Sequence, residues 1–293
     1  MKPSIGIIGA GAMGLLYAAH LAKYAHVTLY VRREEQLESL NKNGLHFNGE
    51  TLPVQATKGI SFEKMKQHGI ILIAVKSYEL EHIWTDLNKI PSEIPLLFIQ
   101  NGIAHLKFIL DLTATNIWAA TTTYGAKRLN DFSVEQKGKG KTIFGVLKGS
   151  VATEKLNFLQ QLADFSFEFS NDIKKAMYEK LLINAAVNPL TAVLGAKNGD
   201  LIQNENWREL LHEIVEEVNR ALQIDDAIQK VEQVLIATKE NLSSMATDVK
   251  LNRRTEIDSI LLPVIRLLEE GNYPATRLDT LYKLIKGKEQ QYV

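Results

Sequence analysis

The chain has 293 residues, of which 45% are hydrophobic and 23% charged, an ordinary globular composition long enough for two domains. Lys plus Arg and Asp plus Glu both number 34, so no net field draws the protein to nucleic acid or an anionic membrane, and any anion must be held by a local site. The absence of cysteine excludes disulfides, thiolate catalysis and thiolate-ligated metals, and fits a reducing cytoplasm.

Residues 5–22 form an apolar run behind Lys2 that superficially matches a secretory leader. Gly6, Gly9, Gly11, Gly14 and His20 lie inside it, and residues 27–31 next read as a strand, so strand, turn and helix are expected in place of a leader or a membrane span. No other apolar stretch approaches the roughly 18 residues that a span requires, and a soluble protein is expected.

The strand at residues 4–8 runs into Gly9-Ala10-Gly11-Ala12-Met13-Gly14, which has the form G-x-G-x-x-G, and a helical pattern follows at 13–23. In such a loop Gly9 permits the tight turn, Gly11 lets the backbone approach a pyrophosphate, and Gly14 lets helix and strand pack closely. The helix N-terminus adds free N–H groups for the phosphates. A glycine turn can serve packing alone, but this one sits between strand and helix, where a dinucleotide would bind. The strand at 27–31 ends in Arg32-Arg33, where an NAD site places an acid for the ribose hydroxyl. A guanidinium suits a 2′-phosphate, which points to NADP. Solvated arginines, with Glu34 or Glu35 turned toward a ribose, are the alternative.

Further strands at 70–75, 96–99 and 117–123, with amphipathic stretches such as 35–41 between some of them, imply an α/β architecture: a Rossmann-type, doubly wound sheet. Lys76 and Asn101 follow two of these strands, at the ends where open α/β sheets bind ligands. A surface lysine and an Asn-Gly turn are the plainer readings of each taken alone. Residues 132–136 and 142–147, around Gly138-Lys139-Gly140-Lys141, read as a late antiparallel hairpin. From about residue 172 the pattern turns helical, at 174–194, 207–222, 227–241 and 256–269, with a solvated tail helix at 283–291. The expected organisation is a nucleotide-binding domain at 1–170 and an all-helical substrate and catalytic domain at 171–293.

Within the first long helix, Lys180, Asn184 and Asn188 recur at i, i+4 and i+8 in apolar surroundings, so they share one face. Buried amides need partners and a buried lysine is costly, so the stripe points to a ligand, or else to a structural network between helices. Partial desolvation would bring the lysine toward neutrality and suit it to donate a proton. Pro189 is expected to kink this helix. A second polar cluster spans Asn241, Ser243, Ser244, Asp248, Thr255, Glu256 and Asp258, where the serines and Thr255 can alternatively be helix caps. On one straight helix Ser244 and Glu256 would lie about 18 Å apart, so the chain is expected to bend within 251–254.

Together these residues resemble the ketopantoate reductases (2-dehydropantoate 2-reductases) over almost the full length. The resemblance rests on Gly9–Gly14, Val75-Lys76, Gln100-Asn101-Gly102, the block at 180–192, Asn198-Gly199, Ser243-Ser244-Met245 and Arg254-Thr255-Glu256-Ile257-Asp258. It implies NADPH-dependent reduction of 2-dehydropantoate to pantoate, in the cytoplasm, on the route to pantothenate and coenzyme A. It implies NADPH on Gly9, Ala10, Gly11, Ala12, Met13 and Gly14, with Arg32 and Lys76 toward the adenosine phosphate. Asn101 then lies between nicotinamide and substrate, and Ala126 against the cofactor. Lys180 becomes the proton donor; Asn184, Asn188, Asn198, Asn241 and Ser244 bind substrate; and Glu256 closes the site beside cofactor and Lys180. The implied partner is a small 2-keto acid, with no metal, nucleic acid or membrane, and a homodimer is allowed. Where the family often carries an Asn near the start of the final helix, this chain reads Pro274-Ala275-Thr276-Arg277. The alternatives are a related reductase of another 2-keto or 3-hydroxy acid and a non-catalytic NADP-sensing protein.

Overall fold

The computed structural model describes residues 2–151 and 153–292. The chain forms two compact units, Met1–Gln100 with Lys107–Ile173, and Asn101–Leu106 with Lys174–Val293. The short segment Asn101–Leu106 thus belongs to the second unit, although the chain on both sides of it belongs to the first.

The first unit begins with β1 (Ser4–Ile8), α1 (Ala12–Leu21), β2 (His26–Val31) and α2 (Glu34–Asn43). There follow β3 (Leu45–Phe47), β4 (Glu50–Leu52), β5 (Gln55–Lys58), α3 (Phe62–Met65), β6 (Ile70–Ile73), α4 (Trp84–Leu87), β7 (Leu96–Phe98) and α5 (Leu106–Ile109). The remainder is β8 (Ile117–Thr122), β9 (Gly125–Arg128), β10 (Ser133–Lys137), β11 (Thr142–Lys148), α6 (Thr153–Gln160) and β12 (Phe167–Phe169). Eight strands form one sheet in the order β12-β11-β8-β7-β6-β1-β2-β5. From β5 to β8 all neighbours are parallel, and β11 is antiparallel to β8. β1, β6 and β7 are buried along almost their whole length, as expected for a parallel sheet covered on both faces, and so read as unbroken apolar runs in the sequence.

The strand order reverses at β1, with β2 on one side and β6 on the other. This is the topological switch point at which open α/β sheets bind ligands. The glycine loop leaves β1 there. Gly9 has φ +101, and a Cβ on it would come within 2.8 Å of Val75 just beyond β6. A Cβ on Gly14 would lie 1.9 Å from the Gly9 carbonyl oxygen, so α1 folds back onto the turn only with glycine at that position. A Cβ on Gly11, by contrast, would meet nothing within 4 Å.

A second sheet has the order β4-β3-β10-β9 and packs on the core beside α1 through Phe47, Ala126 and Val134. Here the expected hairpin is corrected. β10 pairs antiparallel with β9, whereas β11 pairs with β8 in the other sheet, from Thr142 opposite Thr122 to Lys148 opposite Ile117. The reason lies at Thr123, whose N–H donates to the Lys141 carbonyl at 2.9 Å while its Oγ1 accepts from the Lys141 N–H at 2.9 Å. These bonds fasten the start of β11 to the end of β8, so residues 138–141 cross between sheets and do not turn back on β10. An unforeseen hairpin joins β3 to β4 through Asn48-Gly49, both at positive φ, as a two-residue hairpin turn requires.

The second unit holds α7 (Ile173–Leu194, whose first residue belongs to the sheet unit), α8 (Asp200–Gln203), α9 (Glu205–Leu222), α10 (Ala227–Ala237), α11 (Ser244–Lys250), α12 (Ile257–Glu270) and α13 (Thr276–Glu289). Leu181, Leu182, Ala185, Ala186 and Leu190 of α7 join Leu211, Val215 and Val218 of α9 and Leu261 and Val264 of α12 in one core. α7 continues through Pro189 without ending. The tail is more than a solvated helix: α13 buries Leu278, Leu281, Ile285 and Glu289. Its start at Pro274–Arg277 is capped from elsewhere, because the buried Glu217 accepts hydrogen bonds from the Arg277 and Leu278 N–H groups at 3.0 Å each. Among the described residues no helix is long and apolar enough to cross a membrane.

The glycine geometry predicts opposite outcomes at two neighbouring positions. Gly14→Ala should destabilise the chain by about 1–3 kcal/mol, the usual scale of overpacking, whereas Gly11→Ala should leave the urea midpoint nearly unchanged. Equal midpoints for the two variants would contradict the packing described.

Candidate active site

In the sheet unit, α1 starts with Gly11 as its N-cap, which brings no side chain to cap the first turn. The loop is braced from behind by Gln36, whose Nε2 donates to the Ala10 carbonyl at 2.8 Å and to the Asp131 carbonyl at 3.1 Å. Gly11 is exposed and Ala12 and Met13 half-buried at the mouth of this turn. The two arginines after β2 differ. Arg33 is ion-paired with Asp131, between β9 and β10. The Arg32 side chain is 82% exposed, with Nη1 3.1 Å from Glu79 Oε2. Exposed Lys76 follows β6 and precedes the turn that carries Glu79. Ala126 lies on β9, half-buried, paired with Gln136 of β10. The loop, Arg32 and Lys76 therefore leave the carboxyl ends of the adjacent strands β1, β2 and β6, while Ala126 comes from the smaller sheet.

In the helical unit the structure joins three residues far apart in sequence. Lys180 Nζ donates to Asn101 Oδ1 at 2.7 Å, and Asn101 Nδ2 donates to Glu256 Oε2 at 3.1 Å. An amide suits this place because its oxygen answers a cation while its nitrogen answers an anion. Burial pulls Lys180 down to about 8, and the Glu256 carboxylate opposes that fall. Glu256 is 7% exposed and directly precedes α12. Gly102 brings Asn101 into place: its φ is +75, and a Cβ on it would lie 2.1 Å from the Ser259 carbonyl oxygen in the first turn of α12. The bend expected at 251–254 is present, since α11 ends at Lys250 and α12 begins at Ile257.

Asn184 sits half-buried on α7 one turn from Lys180, and buried Asn188 donates through Nδ2 to Ser244 Oγ at 3.4 Å. The cap of α11 is Ser243, whose Oγ accepts from the Ala246 N–H at 3.0 Å and from Thr191 Oγ1 at 2.8 Å. Ser244 is left exposed at the start of α11. Asn198 and Asn241 form a separate pair. The Asn198 N–H donates to the Asn241 carbonyl at 2.9 Å, its Nδ2 donates to Thr238 Oγ1 at 2.9 Å, and its buried Oδ1 has no hydrogen-bond partner among the described residues. Asn241 itself is exposed. One neighbour has no signal in the sequence: His105, 1% exposed, is pushed down to about 4 by burial, with Glu256 opposing. A lone histidine in a short segment has no periodicity to mark it. Among the described residues no group of three or more His, Asp or Glu side chains is arranged to hold a metal ion.

The first unit thus presents a glycine loop at the switch point of a doubly wound sheet, and the helical unit a half-buried lysine answered by an amide and a carboxylate. A sequence model described as Ketopantoate reductase PanE/ApbA matches residues 5–149, and its C-terminal counterpart matches residues 172–289. The chain belongs to the ketopantoate reductase family. It is 42% identical to the 2-dehydropantoate 2-reductase of Listeria monocytogenes over 290 residues, covering 97% of this chain and 96% of that protein. The crystal structure of a protein from Bacillus subtilis, described as a probable 2-dehydropantoate 2-reductase, matches with a TM-score of 0.87 at 30% identity, covering 98% of this chain and 100% of that one. The ternary structure of D-mandelate dehydrogenase with NADH and anilino(oxo)acetate matches with a TM-score of 0.88 at 23% identity, a likeness of fold, covering 99% of both chains.

The approach at Gly102 yields a prediction. Gly102→Ala should cost about 1–3 kcal/mol of stability in urea unfolding, because the added methyl strikes backbone and the positive φ disfavours it. An unchanged midpoint would mean that the segment is not pressed against α12.

Proposed function

We propose that the protein is an NADPH-dependent 2-dehydropantoate 2-reductase that reduces the 2-ketone of 2-dehydropantoate to the alcohol of pantoate, on the cytoplasmic route to pantothenate and coenzyme A. The observation that carries this reading is the Lys180–Asn101–Glu256 chain, with its lysine held at about 8 beside buried Leu181, Leu182, Ala185 and Ala186. The room at Gly11 and the uncapped start of α1 fit a dinucleotide pyrophosphate. In this reading Gly9, Ala10, Gly11, Ala12, Met13, Gly14, Arg32, Lys76, Asn101, Ala126 and Glu256 hold NADPH. When bound, NADPH supplies the hydride that adds to the ketone carbon.

Lys180 keeps its proton on Nζ at neutral pH and gives it up as the substrate oxygen acquires charge. Because its pKa lies close to the working pH, the same group is both mostly protonated and a competent acid. Asn101 fixes the direction of Nζ, and Glu256 favours the charged form until the transfer. Asn184, Asn188, Asn198, Asn241 and Ser244 bind substrate in this reading, offering neutral donors and acceptors to its carboxylate and hydroxyl groups. The buried, unanswered Oδ1 of Asn198 and the exposed hydroxyl of Ser244 support those two assignments. The exposed reach of Arg32, against the Asp131-bound Arg33, supports Arg32 as the partner of the 2′-phosphate.

Lys180→Ala should lower kcat by about 100-fold or more, with NADPH affinity within a few-fold of the parent and the fold retained. Since the protonated lysine is the acid, wild-type kcat should be sustained below pH 8 and fall as pH rises through about 8. A well-folded Lys180→Ala protein with near-normal kcat would end this assignment.

Arg32→Ala should weaken NADPH binding about 10- to 150-fold, the equivalent of about 1.5–3 kcal/mol, and NADH binding far less. Calorimetric titration with each nucleotide checks this. Equal losses would remove the phosphate assignment, and an effect confined to Arg33→Ala would move it by one residue.

A further inference from the structure

Glu289, near the end of α13, is a carboxylate only 5% exposed and far along the chain from every site residue. Its Oε1 accepts two hydrogen bonds from one residue, the Thr255 N–H at 2.7 Å and the Thr255 Oγ1 hydroxyl at 2.7 Å. Its Oε2 accepts from Lys286 Nζ at 2.7 Å. Thr255 is 1% exposed, and its Oγ1 also accepts the Ile257 N–H at 3.2 Å, which caps the start of α12. The peptide on either side of Glu256 is therefore tied down, and the Glu256 side chain makes no cap to its own helix but accepts from Asn101. Burying a carboxylate merely to hold two helices together is a poor device, because apolar side chains of that size do it as well or better. A carboxylate does provide direction, through two bonds of fixed geometry on one backbone position.

We propose that Glu289 is a positioning residue that, through Thr255, holds Glu256 against Asn101 and so against Lys180. The consequence for catalysis rests on the proton-donor reading of Lys180; the positioning itself does not. Lys180 is faced by Asn101 and Glu256, with His105 beside Glu256 and neutral above pH 6 because burial holds it at about 4. Glu289 is faced by Thr255, by Lys286 and by Tyr292, whose phenol is raised and stays protonated. Lys286 in turn meets Asp258, which also accepts from Tyr282 Oη at 2.9 Å and lies 3.7 Å from Arg254. Glu256 raises the lysine's proton affinity, so loosening Glu256 must lower it further.

The test is a 13Cε-lysine NMR titration of the full chain, with the Lys180 resonance identified by its loss in Lys180→Arg. Glu289→Ala should lower the Lys180 midpoint by about 0.5–1 in pH. Glu289→Gln removes the same charge but keeps an acceptor for Thr255, and should leave the midpoint within about 0.3 of the parent. An unchanged midpoint in Glu289→Ala, or an equal fall in both variants, would overturn the proposal; the second result would mean a long-range field with no positioning. If Glu289→Ala fails to fold, Thr255→Val removes one of the two donors and should give a smaller fall, and no fall there would also overturn it. The kcat profile measured in parallel separates the two readings. A midpoint that falls while the alkaline limb of kcat stays in place supports positioning by Glu289 and sinks Lys180 as the proton donor.

Discussion

The polar site of the helical unit is arranged around one half-buried ammonium group that burial has largely desolvated. Lys180 lies on α7 among Leu181, Leu182, Ala185 and Ala186, all buried, and its charge has to be answered locally. The answer comes in two stages, an amide first and a carboxylate behind it. A carboxylate in direct contact would bind the proton firmly to the lysine, and no partner at all would strip it off. The intervening amide leaves the group in an intermediate condition between these two.

That demand dictates features that look unrelated in the sequence. Segment 101–106 must leave the sheet unit to supply the amide, and it fits against α12 only because residue 102 has no side chain. The chain breaks between α11 and α12, which leaves Glu256 directly before α12 and facing Asn101. α13 must fold back far enough for its last turn to meet Thr255. In the sheet unit the corresponding constraint is steric. One carbonyl oxygen, that of Gly9, sits so near Gly14 that turn and helix can be closed only by hydrogen atoms.

How much of this is legible in the sequence follows from how local each signal is. The buried parallel strands announce themselves because both their faces are apolar, and the stripe of Lys180, Asn184 and Asn188 is visible because a helix repeats every three to four residues. β3, β4, β9 and β12 are three or four residues long, too short to establish a period. β10 and β11 read as partners because adjacency in sequence suggests a hairpin, whereas the bonds that decide the pairing come from Thr123. In the site, the lysine and its neighbouring amides can be reasoned from spacing. The pairing of Asn101 with Glu256 spans 155 positions, and only family resemblance suggests it. Glu217 and Glu289 carry no signal at all, since an acid on a helix looks solvated until the chain folds over it.

The interleaving of the two units also limits how the protein can be taken apart. Asn101–Leu106 is a short stretch of the helical unit lodged inside the sequence of the sheet unit. A fragment ending at residue 173 would carry Ile103 without the apolar core it packs against, and Asn101 and His105 without Lys180 and Glu256. A fragment beginning there would lack the amide that links Lys180 to Glu256. The protein has two units in space but no single point in its sequence at which they can be parted, so neither half is expected to survive expression alone as an intact piece of the whole.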